Sequence, residues 1–370
     1  AGVINIILKD NVEGAQLSAK VGDTADGGGK ESNVSLVWGN ATDTTSHTFA
    51  FDYFEREEIL YADRDYSKSA NQTALRPDDP FVTDFRSSSG IPGTIALRSD
   101  STIRMPDTFG KDHCAAEDIK GNLCRYDYAP HMTSVPATER ASFLYMGKYD
   151  ISEDVRGFFE LNGQHAKYTI KGAGSPSFNE LFMDGDNANH PFADMPDHDF
   201  HGEDLTMRRR MVDIGNREKQ STSNYFRNIM GLQGELEDWS WELAYSYILS
   251  ESVERGVDGF PNSRRVQEAI DNESWNPFEP SSNSQASLDY IETQTTRVGK
   301  STSKSVYGKI SGPIMEMEHG ELGLAVGFEF REHSISDNPD DQFLRGEVFG
   351  TEATKASGSR ENNSVFAELA

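Results

Sequence analysis

The sequence predicts an all-β protein, a transmembrane antiparallel up-and-down β-barrel of which about ten strands are present. Three observations predict it. Apolar and polar residues alternate with period two through most of the chain. The connections between these alternating stretches are short and long by turns. Several stretches run for about 10–15 residues, longer than the usual strand of about 5–6 in a soluble sheet.

Composition sets the outer bounds. The chain has 370 residues, of which 36% are hydrophobic, and a mean hydropathy of −0.63, too polar for a membrane protein made of helices. No run of about 18 apolar residues occurs, which excludes transmembrane helices. A barrel is not excluded, because its strands hide their apolar half in alternation. The net charge of −26 and the lack of any basic stripe argue against nucleic acid as a partner; the acidity keeps large loops soluble. The chain has no initiator Met, charged leader or signal-type apolar run. It starts in a strand-like run and stops in another, Ser364 to Ala370, and is read as a fragment.

The elements follow in order. Val3 to Leu8 is a β-branched run, as in a strand buried on both faces. One-sided strands then begin: Ala15, Leu17, Ala19 and Val21 alternate with Gln16, Ser18 and Lys20. Beyond the turn at Gly27 to Gly29 come Val34, Leu36 and Trp38, then Phe49, Phe51 and Tyr53. Phe143, Tyr145, Gly147 and Tyr149 lead through a tight turn at Asp150 to Asp154 into Val155, Gly157, Phe159 and Leu161. Phe226, Met230, Leu232 and Leu236 precede a Glu237-Asp238 turn. In the strand after it, Trp239, Trp241, Leu243, Tyr245, Tyr247 and Leu249 oppose Ser240, Glu242, Ala244, Ser246 and Ser250. Val306, Gly308 and Ile310 pass through Gly312-Pro313 to Leu322, Leu324, Val326, Phe328 and Phe330, and Val365, Ala367 and Leu369 begin the last strand.

Connections after even-numbered strands are short, while the long loops fall after odd-numbered ones, at about 56–138, 169–221, 254–300 and 334–359. An antiparallel meander therefore collects its long loops at one rim and its short turns at the other, the pattern of bacterial outer-membrane barrels. A soluble sandwich would also show a polar face, but its strands are shorter. Trp239 and Trp241 beside a short turn fit an interfacial aromatic girdle.

Ala1-Gly-Val-Ile-Asn-Ile-Ile-Leu-Lys-Asp10, followed by Glu13-Gly14-Ala15 and ten alternating strands, resembles the junction between plug and barrel in TonB-dependent outer-membrane receptors. The segment around Trp275-Asn-Pro-Phe278 is similar too. The resemblance implies that residues 1–10 end a plug domain and that residues 11–370 form the N-terminal part of a barrel of about 22 strands. It also implies energy-coupled uptake of a scarce ligand (a ferric siderophore, cobalamin, haem or an oligosaccharide) into the periplasm. The implied partners are the TonB complex of the inner membrane, outer-membrane lipid and lipopolysaccharide, and a small-molecule or oligosaccharide ligand. The alternatives are a passive porin, which has no plug to account for Val3 to Leu8, and a secreted soluble β-sandwich that binds glycans.

Among individual residues, Trp275 and Phe278 are the candidates for stacking on a ligand. Cys114 and Cys124 lie close together in a polar loop, with no partners at zinc-like spacing, and predict a local disulfide. His198-x-x-His201, near His190, has a metal-ligand spacing, but the surrounding Asp194, Asp197, Asp199, Glu203 and Asp204 read as a solvated acidic loop tip. Asp184-Gly-Asp186-Asn-Ala-Asn189 departs from a calcium loop at Ala188 and lacks the twelfth-position Glu. Arg208-Arg-Arg210 suits either lipopolysaccharide phosphates or, better, a salt-bridged loop. The glycine-rich turns lack the Lys-Ser/Thr ending of a phosphate loop, and no nucleophile elbow is present. The sequence thus calls for neither an enzyme nor a cofactor.

Overall fold

Period-two alternation along the chain becomes, in the computed structural model, a set of rows running across strands. The structure describes residues 8–9, 12–74, 84–102, 104–106, 113–178, 181–318 and 320–370. Ten strands lie side by side in chain order, each antiparallel to the last. They are β1 (Gly14–Gly22), β2 (Glu31–Ala41), β3 (Thr45–Arg56), β4 (Ala137–Asp150), β5 (Val155–Gly172), β6 (Arg217–Leu236), β7 (Trp239–Pro261), β8 (Glu292–Met317), β9 (Gly320–Pro339) and β10 (Ala356–Leu369). The expected plug strand, Val3 to Leu8, lies almost wholly outside the described residues.

The register gathers the apolar residues on one face. One row runs Phe159, Met230, Tyr245, Val306 and Phe330 across β5 to β9. Another runs Leu17, Leu36, Phe51 and Phe143 across β1 to β4. Gly308 lies under the Phe328 ring, where an added Cβ would come within 2.7 Å of it, so glycine lets the aromatic lie flat on the neighbouring strand. This face is uncovered: Met230 is 45% exposed and Phe330 51%.

The opposite face is polar and cross-linked. Tyr307 donates to Glu242 at 2.7 Å, and Lys309 reaches the same carboxylate at 3.2 Å. Arg227 pairs with Glu160 at 3.4 Å, and Asn33 donates to Asp52 at 2.7 Å.

Short turns join β2 to β3, β4 to β5, β6 to β7 and β8 to β9. The β6–β7 turn has two residues, with Leu236 paired to Trp239 and Glu237 in the left-handed region at φ 53°, which matches the strand twist at a hairpin. The last short turn is not where Gly312-Pro313 suggests. β8 runs on to Met317, which pairs with Gly320, and Pro313 sits at a register shift within the strand. A bulge tolerates a residue with no N–H to donate, so this proline does not end the strand.

At the loop rim the strands outlast the alternation. β6 begins at Arg217 and β8 at Glu292; Ser221-Thr-Ser223 and Thr293-Gln-Thr-Thr296 are strand residues with polar side chains on both faces. Two wet faces erase the period-two signal while the backbone ladder continues.

Loops from that rim build a second layer. Thr94–Leu97 and Arg104–Pro106 of the β3–β4 loop join Leu181–Met183 and Leu205–Arg208 of the β5–β6 loop in one four-stranded sheet. The β7–β8 loop adds helices α1 (Ser263–Asp271) and α2 (Gln285–Ile291). Asn262 caps α1 by accepting the Arg265 N–H at 3.1 Å, and Val266, Ala269 and Ile270 turn inward. Their core includes Ile95, Leu181, Phe192, Trp275 and, from the β9–β10 loop, Phe349. No helix among the described residues is long and apolar enough to cross a membrane.

Candidate functional site

Trp275 is placed by the end of α1, its N–H donating to the Ala269 carbonyl at 3.1 Å. Asn276 then folds the chain back, its side chain accepting the N–H groups of Phe278 at 2.9 Å and Glu279 at 3.2 Å. The result buries both aromatics: Trp275 is fully covered and Phe278 is 5% exposed. Stacking on a ligand needs an open ring face, and neither residue has one. Their place is in the loop core.

The three consecutive arginines meet three different environments. Arg209 is buried with Asp213, at 2.9 Å, and its guanidinium lies 4.7 Å from the Trp275 ring centroid. Here the carboxylate compensates the charge and the indole supplies a polarisable wall. Arg208 is half-buried and donates to Ser88 at 3.0 Å; burial, with Arg104 nearby, lowers its pKa. Arg210 is buried, and among the described residues no carboxylate pairs with it. It donates to the Gly174 carbonyl at 2.9 Å and lies over Tyr126, 5.1 Å from the ring centroid. Burial, with Arg217 adding repulsion, lowers its pKa to about 10. Of the three, Arg209 alone takes an ion pair among the described residues.

Arg217 stands beside Arg210, its Nε donating to the Ala173 carbonyl at 2.9 Å. The two arginines bracket the base of the β5–β6 loop, where Gly172 pairs with Arg217. Tyr126 and Tyr128 face them from the β3–β4 loop, within electrostatic reach of Arg210. Sequence reasoning passed over Arg217 because it is separated from the arginine run and lies in a polar stretch. The available signal was slight: Asp213 is the acid between Arg210 and Arg217 in sequence, and Arg209 takes it.

The remaining candidates are used in holding the loops together. His198 stacks on Phe192 with ring centroids 3.9 Å apart, and His201 Nδ1 meets the Phe192 carbonyl at 2.7 Å. His190 Nδ1 accepts the Phe192 N–H at 3.3 Å while Nε2 meets the Glu203 carbonyl at 3.1 Å, and burial lowers its pKa. In the Asp184–Asn189 turn, Asn187 donates to the Ile270 carbonyl at 2.8 Å and Asn189 to the Glu273 carbonyl at 3.2 Å. Those amides close the C-terminal end of α1. Among the described residues no cluster of three or more His, Cys, Asp or Glu is arranged to hold a metal ion. Cys114 and Cys124 are joined, with Cα atoms 6.0 Å apart.

No protein-family model matches the chain, and no curated protein does. Among solved structures it is similar to the ferric-catecholate import receptor Fiu from E. coli K12. For the open form the TM-score is 0.42 at 8% identity, over 99% of this chain and 48% of that one. For the closed form the TM-score is 0.39 at 9% identity, over 96% and 43%. This chain therefore spans about half the length of that receptor. The fold is read from the chain's own strand register, not from that likeness.

Proposed function

We propose that this chain is part of a TonB-dependent outer-membrane receptor and that its long loops capture a scarce ligand for energy-coupled uptake into the periplasm. The observation that carries the reading is the uncovered apolar face. Across ten strands the rows of Leu, Val, Phe, Tyr and Met stay exposed, while the loops at one rim pack a dry core of their own. An apolar surface of this extent fits the hydrocarbon of a bilayer. Energy coupling is the finer part of the proposal and is supported by the resemblance of Ala1 to Asp10 to a plug–barrel junction.

The test uses the full-length protein in its host. Uptake is followed for a ferric siderophore, cobalamin, haem and an oligosaccharide, with and without TonB. Uptake of one of them that stops when TonB is removed or the proton-motive force is dissipated supports the receptor. Uptake that continues unchanged points to a porin. Recovery of the protein in the aqueous fraction without detergent would sink the membrane reading altogether.

A further inference from the structure

We infer that a groove in the apolar face holds one diacyl phospholipid of the leaflet nearest the short turns. One acyl chain lies over Gly147 and Gly157, and the ester region lies at His47 and Tyr145. The inference rests on the proposed reading of this face as lipid-facing and goes beyond it, since the lipid is a ligand bound at one place rather than part of a general coat.

Glycines on this face come in two kinds. Gly163, Gly308 and Gly312 are roofed by the rings of Phe143, Phe328 and Trp239, which an added Cβ would strike. Gly147 and Gly157 are not roofed. At Gly157 a Cβ would meet nothing nearer than 3.6 Å, and at Gly147 the nearest atom is the Tyr145 hydroxyl at 3.3 Å. The two lie in neighbouring rows, Gly147 paired with Phe159 and Gly157 with Leu232. Where they stand the face sinks into a groove of about 650 Å³, within the range of about 300–1,000 Å³ of ligand pockets. Aliphatic and aromatic groups line most of it. Its polar end is a pair: the Tyr145 hydroxyl leans over Gly147 and meets His47 Nδ1 at 2.9 Å. A slot one side chain deep, between strands about 4.8 Å apart, takes a hydrocarbon chain. A helix, about 10–12 Å across, would ride on its rims.

The register says how the lipid lies. β3 begins at the rim of short turns with Thr45, and β8 ends there with Met317. His47 is therefore two residues from that rim, whereas Val306, on the same row, is eleven. The row climbs the wall, as the tilt of barrel strands requires. Asn40 lies beside His47 at its low end and Asn363 beside Phe330 at its high end. Phe159, Met230, Tyr245 and Val306 fill the middle. Polar, apolar and polar again along a climbing line is the profile of a bilayer, and a chain laid in the groove from His47 upward follows it. The imidazole then stands at the depth of the ester and phosphate groups. Its Nδ1 is taken by the phenol, which leaves Nε2 for a lipid oxygen.

The experiment folds the full-length protein into vesicles of phosphatidylethanolamine and phosphatidylglycerol, with part of the phosphatidylethanolamine carrying a diazirine in one acyl chain. After photolysis the attachment sites are mapped, and unphotolysed protein is weighed intact in mild detergent to count retained lipids. Label is expected to concentrate on Phe159, Met230 and Tyr245, about tenfold over Leu17 and Leu36 of the same face, with one lipid retained. Gly157→Leu fills the groove and should lower labelling and retention about tenfold. Gly157→Ala should lower them less, and Ala19→Leu, on the same face outside the groove, should leave them unchanged. His47→Phe keeps a ring but removes the polar contact and should weaken retention about fivefold, the worth of one hydrogen bond. Even labelling across the whole face, unmoved by Gly157→Leu, overturns the site. If Gly157→Leu does not fold, retention equal to the parent in both Gly157→Ala and His47→Phe does so instead. A second copy of the protein crosslinked through the groove overturns lipid as its occupant. Loss of energy-coupled uptake with the lipid retained would count against the receptor reading and leave the groove in place, whereas inserted, uptake-competent protein with no retained lipid overturns the groove alone.

Discussion

Trp275 in the loop layer is fully buried, whereas Leu243, in the apolar row of β7, is 46% exposed. Both are large apolar side chains in well-formed structure, yet they obey opposite rules. In the loops, helices and a small sheet turn their apolar sides toward one another and leave most charge outside, as in a water-soluble domain. In the ten-stranded sheet the apolar side chains point away from the polar, cross-linked face and nothing among the described residues covers them. On the proposed reading, the loop core is built against water and the sheet against a solvent that is itself apolar. Polar groups differ in the same sense. The loops bury Arg209 with its own carboxylate, while the sheet keeps Glu160, Arg227, Glu242 and Lys309 on one half-exposed face.

The largest expected effect tests the loop half of this comparison. Trp275→Ala removes the centre of the loop core and the wall beside the Arg209–Asp213 pair, and should cost about 3–5 kcal/mol of local stability. Amide exchange in full-length protein is expected to speed up through α1, α2 and the four-stranded loop sheet, with β4 to β8 unchanged. If β4 to β8 lose protection to the same degree, the two layers are one cooperative unit and the comparison breaks.

The sheet half is tested by a charge. Met230 sits in the middle of the apolar band, paired with Phe159 and Tyr245. In a bilayer, Met230→Arg should cost about 2–4 kcal/mol, read from the denaturant midpoint of protein folded into vesicles. The same substitution on the exposed face of a soluble sandwich would leave the midpoint nearly unmoved, and that outcome would reverse the assignment of this face to lipid.

How far the sequence carried differs between the layers for the same physical reason. Strands in a one-sided environment write their orientation into alternation, so the order of the ten strands and the parity of turns and loops were legible. Pro313 misled because the sequence does not show a bulge, and the ends of β6 and β8 were hidden because both their faces are polar. The loop layer gave little away. Its four-stranded sheet pairs segments such as Thr94–Leu97 and Leu205–Arg208, about a hundred residues apart, and no local pattern encodes such a pairing. Trp275 and Phe278 were visible as aromatics in a polar loop, but whether such a residue packs inward or waits for a ligand depends on contacts the sequence does not state. The Arg208–Arg210 run shows the same limit, since three identical side chains end in three different surroundings.

The smallest expected effect sharpens the comparison within the loops. His190 is held as the neutral tautomer, with Nδ1 accepting the Phe192 N–H and Nε2–H donating to the Glu203 carbonyl. Burial lowers its pKa, and His201 lowers it further. The sign follows: the unfolded loop takes up a proton before the folded one does, so stability is present in full above the ordinary histidine pKa and is lost as pH falls through the lowered folded value. A proton on Nδ1 would also remove the acceptor for Phe192, loosening the turns from Asp184 to Asp204. Amide exchange over these turns should quicken as pH falls below the ordinary histidine range. His190→Gln should flatten that dependence, while β4 to β8 show none in either protein. Equal acid sensitivity in the parent and in His190→Gln would place the titrating group elsewhere among the loop's histidines and carboxylates.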